Sequence, residues 1–249
     1  MAKLASETGY SLIELVLVLV IIGVLAGIGL QTMTAATITA RTEETRAELE
    51  QLAVAIVGDP SLAVSGARTD FGYVGDIGAL PVNLDALAVN PGGYTTWDGP
   101  YTRDPFSNGG PDYAFKLDAW GRPYSYYGGV TIQSTGGPTS LTRQLANTVA
   151  DLVANGVVVI VTDLSGNPPG SDYTDSVIVR LTCPNGAGGL SSSDLYPSAG
   201  GRVQFNAVPI GLRDLEVIYL PSADTLKRKV TVYPGEDTYL EISLGEDLW

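Results

Sequence analysis

The sequence contains no histidine and only one cysteine, Cys183. The first absence excludes His-based catalytic triads, His metal sites and His acid–base catalysis together. The second excludes an intrachain disulfide, and a thiol without a nearby His lacks its usual activator. Cys183 reads as a small buried hydrophobe. Charge is also scarce: 16% of residues, with 14 cations against 27 anions and a formal net charge of −13. Nucleic acid is not an expected partner, because its binding needs Lys and Arg to neutralise phosphates. Carboxylates alone support some hydrolytic chemistry, but no spacing here marks a pair. The expectation is therefore a non-enzyme with no cofactor. Gly (30) and Pro (15) are frequent but not periodic, which points to a loop-rich, β-containing protein.

What is abundant lies at the start. Residues 1–9 are short and polar and contain Lys3; residues 10–30 are then almost wholly apolar, and no charge occurs across residues 15–40. At about 1.5 Å per residue, such a run crosses most of a bilayer as a helix. Glu14 interrupts its beginning. A carboxylate costs about 2.5–3.5 kcal/mol at the bilayer centre and less near its edge. Such a residue usually has a partner, yet after Lys3 the next cation is Arg41. A secretory signal would be cut after its apolar core, near a small-x-small site. A plain membrane anchor is the other simple reading, and Gly23-x-x-x-Gly27 alone is a weak helix-packing signal.

Gly9-Tyr10-Ser11-Leu12-Ile13-Glu14-Leu15 resembles the cleavage and methylation motif of type IV prepilins and type II secretion pseudopilins. The resemblance implies that a prepilin peptidase cuts after Gly9 and methylates the new amine of Tyr10. It also implies that Glu14 pairs with that amine on a neighbouring subunit, setting filament register. Tyr10 replaces the family's usual Phe. The family's frequent helix-kinking Pro is absent, with Gln31 in its place. Gly23 and Gly27, with Gly29, then supply helix flexibility and packing.

Leu49, Leu52, Ala53 and Ile56 recur on one helical face, opposite Arg41, Glu43, Glu44, Arg46, Glu48 and Glu50. Gly58, Asp59 and Pro60 mark the stop. Residues 61–138 read as loops and short strands. Here Leu80-Pro81-Val82-Asn83-Leu84-Asp85-Ala86-Leu87, Gly99-Pro100-Tyr101 and Asp118-Ala119-Trp120-Gly121-Arg122-Pro123-Tyr124-Ser125-Tyr126 resemble elements of major (G-type) pseudopilins, the last as a strand-turn-strand. Trp120 and the tyrosines are expected in the core. The family's calcium loop is not carried over, because residues 128–137 contain no acid. Asp104, Asp112 and Asp118 read as turn residues. Residues 139–155 read as a short amphipathic helix capped at Asn155-Gly156.

Beyond it, apolar runs at 157–161, 176–181, 202–205, 215–220, 229–233 and 239–244 read as strands. Phe205-Asn206-Ala207-Val208-Pro209-Ile210-Gly211, with Thr162-Asp163-Leu164-Ser165-Gly166-Asn167-Pro168-Pro169, resembles the carboxypeptidase regulatory-like, transthyretin-like sandwich. Residues 183–199 read as a Gly- and Ser-rich surface loop.

The expected protein is α+β. It has a leader (1–9), a transmembrane and amphipathic helix (10–58), a pilin-like head with a small β-sheet (59–156), and a C-terminal antiparallel β-sandwich (157–249). The resemblance implies a filament subunit that assembles with copies of itself. Its other partners would be the prepilin peptidase, an inner-membrane assembly platform and its ATPase, and the membrane. The chain would be single-pass in the cytoplasmic (inner) membrane, then part of a periplasmic or cell-surface filament. The alternative is a minor pilin or adhesin whose sandwich binds a surface, glycan or secreted protein.

Overall fold

One helix, α1 (Leu12–Val57), occupies the first part of the chain. The computed structural model describes residues 11–102 and 114–249, with backbone alone for residues 28–31. The chain divides into two units, Met1–Glu44 and Thr45–Trp249.

Within the second unit, the end of α1 has a physical stop. Gly58 takes a φ of +80°, and its N–H donates to Val54 O at 2.7 Å. The Arg68 guanidinium donates to Val57 O, one of the carbonyls that a helix end leaves unpaired. The Asp70 carboxylate accepts from Asp59 N (2.7 Å) and Gly72 N (3.1 Å), turning the chain back onto the helix. A Cβ at Gly58 would collide with Asp70 O and Phe71 Cα. Gly58→Ala is expected to destabilise this unit by about 2 kcal/mol or more, from left-handed backbone strain plus that clash. Thermal unfolding of the full chain measures it.

A two-residue hairpin follows, β1 (Ala63–Val64) with β2 (Ala67–Arg68), then α2 (Gly72–Ile77) and a 3-10 turn at Leu84–Leu87. Asn83 caps that turn by accepting from Ala86 N. β3 (Thr131–Ser134) and β4 (Leu141–Gln144) form a second hairpin. The head sheet expected from sequence is thus a pair of two-stranded hairpins among loops. The expected strand-turn-strand at 118–126 is a turn held by isolated bridges, Leu117 to Pro123 and Ser125 to Gln133.

The helix expected over 139–155 is a correction. Its first part is β4, only Ala150–Val153 (α3) is helical, and Asn155-Gly156 begins a strand. Leu141 pairs with Ser134 across the hairpin, so strand pairing overrides the helical spacing of the leucines. Thr148 and Asp151 cap the remaining turn reciprocally, side chain to backbone N–H.

The rest is a β-sandwich. One sheet has the order β10-β9-β6-β7 and the other β11-β5-β8. These strands are β5 (Asn155–Thr162), β6 (Val177–Pro184), β7 (Leu190–Leu195), β8 (Arg202–Val208), β9 (Gly211–Tyr219), β10 (Asp224–Val232) and β11 (Thr238–Ser243). All pairings are antiparallel except β11 with β5, which is parallel. That departs from the all-antiparallel expectation. The chain leaves β10 at the edge of one sheet and crosses to the other before forming β11. A hairpin return would have kept both strands in one sheet. A second correction concerns residues 183–199, which contain strand β7 rather than only a loop.

Two apolar clusters result. The first joins Leu49, Leu52 and Ile56 of α1 to Tyr73, Val74 and Ile77, Leu87, Tyr124, Tyr126, Ile132 and Leu152. The second lies between the sheets and is built from alternate residues such as Val157, Val159, Val161, Val177, Val179, Leu215 and Val217. Each fully buried Val, Leu or Ile contributes about 1.5–3 kcal/mol. Arg213 on β9 ties the clusters together. It is buried, and its guanidinium donates to Pro209 O, Ile210 O and Gly75 O of α2, the last at 2.8 Å. Burial lowers its pKa to about 10, leaving it charged at neutral pH. Cys183 is half-buried against the second cluster.

Candidate functional site

The segment that sequence singles out is the first part of α1. Its residues from Leu12 to Leu25 include twelve exposed large hydrophobics on every side of the helix, from Leu12, Ile13 and Leu15 to Ile22 and Leu25. A surface helix of a water-soluble domain has one apolar stripe; one apolar all round belongs in lipid or inside a bundle. α1 is long and apolar enough to cross a membrane. Three threonines past the apolar run keep their hydroxyls satisfied within the helix. Thr37, Thr39 and Thr42 donate to Met33 O, Ala35 O and Ile38 O at 2.9, 3.0 and 2.8 Å. Such back-bonding removes the need for solvent partners.

Glu14 sits in the first turn of α1, and its N–H donates to Ser11 O at 3.0 Å. A carboxylate there faces the positive end of the helix dipole. Gly23 and Gly27 lie one turn apart, and a Cβ at either would meet no atom within 4 Å beyond the adjoining helix backbone. Gly9 and Tyr10, the expected processing positions, lie outside the described residues, as do Asp104 and Asp112.

The second part of α1 is held by the segment that resembled a pseudopilin motif. Thr45 is buried, and its hydroxyl accepts from Ala119 N at 3.2 Å. Tyr124 Oη donates to Glu48 at 2.6 Å. Glu48 therefore belongs to this contact, not to a purely solvated face. Burial, reinforced by the Glu48 carboxylate, pushes the Tyr124 phenol well above its ordinary value. Further along, Arg143 of β4 makes a two-pronged contact with Glu50, at 2.7 and 3.1 Å.

Asp118 organises that motif. Its carboxylate accepts from Trp120 N (3.0 Å), Arg122 N (2.9 Å), Gly136 N (3.1 Å) and Ser134 Oγ (2.6 Å). Gly121 at the turn has a φ of +78°, a conformation glycine adopts freely. Burial acts to raise the Asp118 pKa, but these hydrogen bonds outweigh it and hold the carboxyl below the ordinary range. Trp120 is half-buried rather than central, while Tyr124 and Tyr126 are in the core. Tyr101, of the Gly99-Pro100-Tyr101 element, packs edge-on against Tyr73 and Trp97, each at 5.7 Å, and donates to Asp76 at 2.6 Å. These aromatic and acidic residues are joined to one another and to the backbone. Among the described residues, no group of three His, Cys, Asp or Glu side chains is placed to hold a metal ion.

No family model matches the sequence, and no curated protein matches it. Solved structures that align with part of the chain include the following two. The Bacillus anthracis TIE protein aligns with 49% of this chain and 24% of its own, at 12% identity and a TM-score of 0.31. BcpA, the major pilin subunit of Bacillus cereus, aligns with 45% of this chain and 36% of its own, at 10% identity and a TM-score of 0.25. The chain thus spans well under half the length of either. Likeness at this level is too weak to place the chain in a family.

Proposed function

We propose that the chain is a structural subunit of a helical filament of the type IV pilus or type II secretion pseudopilus kind. In this reading it is made as a prepilin, cut between Gly9 and Tyr10 and N-methylated. The role is mechanical, not catalytic. Support comes chiefly from one observation: α1 is exposed and apolar on all sides over its first part, then buries one face in a folded unit over its second. Such a helix stores each copy in a membrane and bundles with its fellows when extracted. A sheath of lipid and a core of like helices are interchangeable surroundings for it, because both are apolar.

Glu14 supports the same reading. Cutting after Gly9 creates a cation on Tyr10, close in sequence to an anion that otherwise lies inside an apolar run. A pair between copies would fix axial register, the best-attested use of a buried ion pair. Partners follow from this: copies of the chain, the peptidase, an inner-membrane assembly platform and the membrane. The subunit resides in the cytoplasmic membrane before assembly and in a periplasmic or surface filament after it.

Electron microscopy of sheared material, with antibody to residues 157–249, tests the proposal. Filaments labelled along their length are expected for a major subunit, and label confined to tips would assign the minor or adhesive role. Protein found wholly in the membrane fraction of assembling cells, with no labelled filament, would count against both.

A further inference from the structure

The outer face of the four-stranded sheet carries a row of alternating charge that crosses all four strands. Lys227 on β10 meets Glu216 on β9 at 2.7 Å. Glu216 lies 3.9 Å from Arg180 on β6, and Arg180 grips Asp194 on β7 with two contacts of 2.7 Å. The strand register places these four residues directly opposite one another, Lys227 to Glu216, Glu216 to Arg180 and Arg180 to Asp194. The row therefore ends in a cation at one edge of the sheet and an anion at the other.

Neither edge has a strand partner among the described residues: β10 and β7 are the outer strands of the sheet, and on β10 only the far end is engaged, where Thr231 O accepts from Thr238 Oγ1 at 3.2 Å. All six residues of β7 are exposed, and five of the first six of β10 are too. An exposed edge offers a row of unpaired N–H and C=O groups to another strand. The three antiparallel steps from β10 to β7 make those two edge strands run in opposite directions. A second copy, displaced along the sheet, would therefore present its β7 antiparallel to the first copy's β10.

The geometry points to a sandwich-to-sandwich contact in which β7 of one copy pairs with β10 of the next. Continuing the charge row sets the register: Asp194 opposite Lys227. The same register sets Leu195 opposite Leu226, both on the core-facing side, since their own partners are the buried Val179 and Val217. It also sets Ser193 opposite Arg228. Charge and apolar rows thus continue together, which a shift by one residue would destroy. Lysines on an edge strand normally discourage pairing. Here Lys227, Arg228 and Lys229 disfavour β10 against another β10 and leave the β7 edge, with its Asp194, as the complement. The contact joins two different edges, so it does not close into a dimer and repeats from copy to copy.

This inference rests on the filament reading for its setting. Six paired residues are a small contact, and high effective concentration among copies held side by side by their helices makes it count. Cysteine cross-linking in the full-length protein, in membranes and in assembled filaments, tests it. Ser193 and Arg228 serve as probes because neither makes an ion pair among the described residues. Cells co-expressing Ser193→Cys and Arg228→Cys chains, in a Cys183→Ser background, are treated with a short bismaleimide. A cross-linked dimer is expected from the mixture, at least tenfold above either variant alone. A chain carrying both substitutions should give a ladder of multimers. Ser193→Cys with Thr225→Cys, three residues out of register, should stay unlinked. Dimers from Ser193→Cys alone, or from Arg228→Cys alone, would overturn the proposal in favour of a two-fold contact. Labelled filaments without any cross-link would overturn it while leaving the filament reading intact. A cross-linked ladder without filaments would uphold the contact and remove the filament.

Discussion

Replacing Glu14 with valine is expected to reduce filament assembly tenfold or more while leaving the chain in the membrane. The change removes the one carboxylate from an apolar segment, so insertion becomes easier, not harder. Under the proposed processing, what is lost is the partner for the amine that cleavage would create on Tyr10. An unpaired ammonium buried in a helix bundle carries a desolvation cost of several kcal/mol, and about 1.4 kcal/mol already corresponds to a tenfold change. Glu14→Gln should fail similarly, because an amide keeps the shape but not the charge. The measurement is the ratio of sheared filament to membrane-bound protein by immunoblot, with the N-terminal mass checked in each variant. Wild-type assembly by Glu14→Val, with processing intact, would show that the carboxylate has no part in register.

The second large effect concerns stability. Asp118→Ala is expected to destabilise the second unit by about 3 kcal/mol. Three backbone N–H groups and one hydroxyl lose a charged acceptor at once. Hydrogen bonds to charged groups contribute about 1.5–3 kcal/mol each but do not add simply. For a unit of this size, that lowers the melting midpoint by about 6–12 °C. Asp118→Asn keeps one acceptor oxygen and should lose roughly half as much.

The pH dependence has a definite sign. The folded carboxyl is held below its unfolded value of about 3.9. Its contribution is therefore full at neutral pH, begins to fall as pH approaches 4, and is gone once pH passes below the folded value. Wild type and Asp118→Ala should converge in stability over that acid range. A gap that persists unchanged to pH 2 would contradict the assignment. Because this turn holds Ala119 against Thr45 and Tyr124 against Glu48, loosening it also frees α1 from the head.

Much of this was legible in the residues. The apolar run, the helical face of Leu49, Leu52, Ala53 and Ile56, and the stop at Gly58 follow from periodicity and glycine chemistry, and all appear in place. Most sandwich strands were legible too, because a buried sheet face demands alternate apolar residues. Three features were not. β7 reads Leu-Ser-Ser-Ser-Asp-Leu and has neither face buried, so no alternation marks it. The leucines at 141, 145 and 152 fit a helical spacing, but hairpin pairing at Leu141 prevailed. The parallel placement of β11 depends on which sheet the chain enters after β10, a choice made by packing at long range. For the site, the roles given to Glu14, Gly23 and Gly27 are proposals drawn from sequence. The tie between Glu48 and Tyr124 was hidden, because partners 76 residues apart carry no local signal. The role of Asp118 had a signal in its Asp-x-x-Gly turn spacing.

The N-terminal mass of the protein recovered from assembled filaments tests the filament-subunit proposal most directly. A mature chain beginning at Tyr10, with one methyl group on its amine, is expected. A chain that retains Met1, or one cut after Ala26 beyond Glu14, would contradict it.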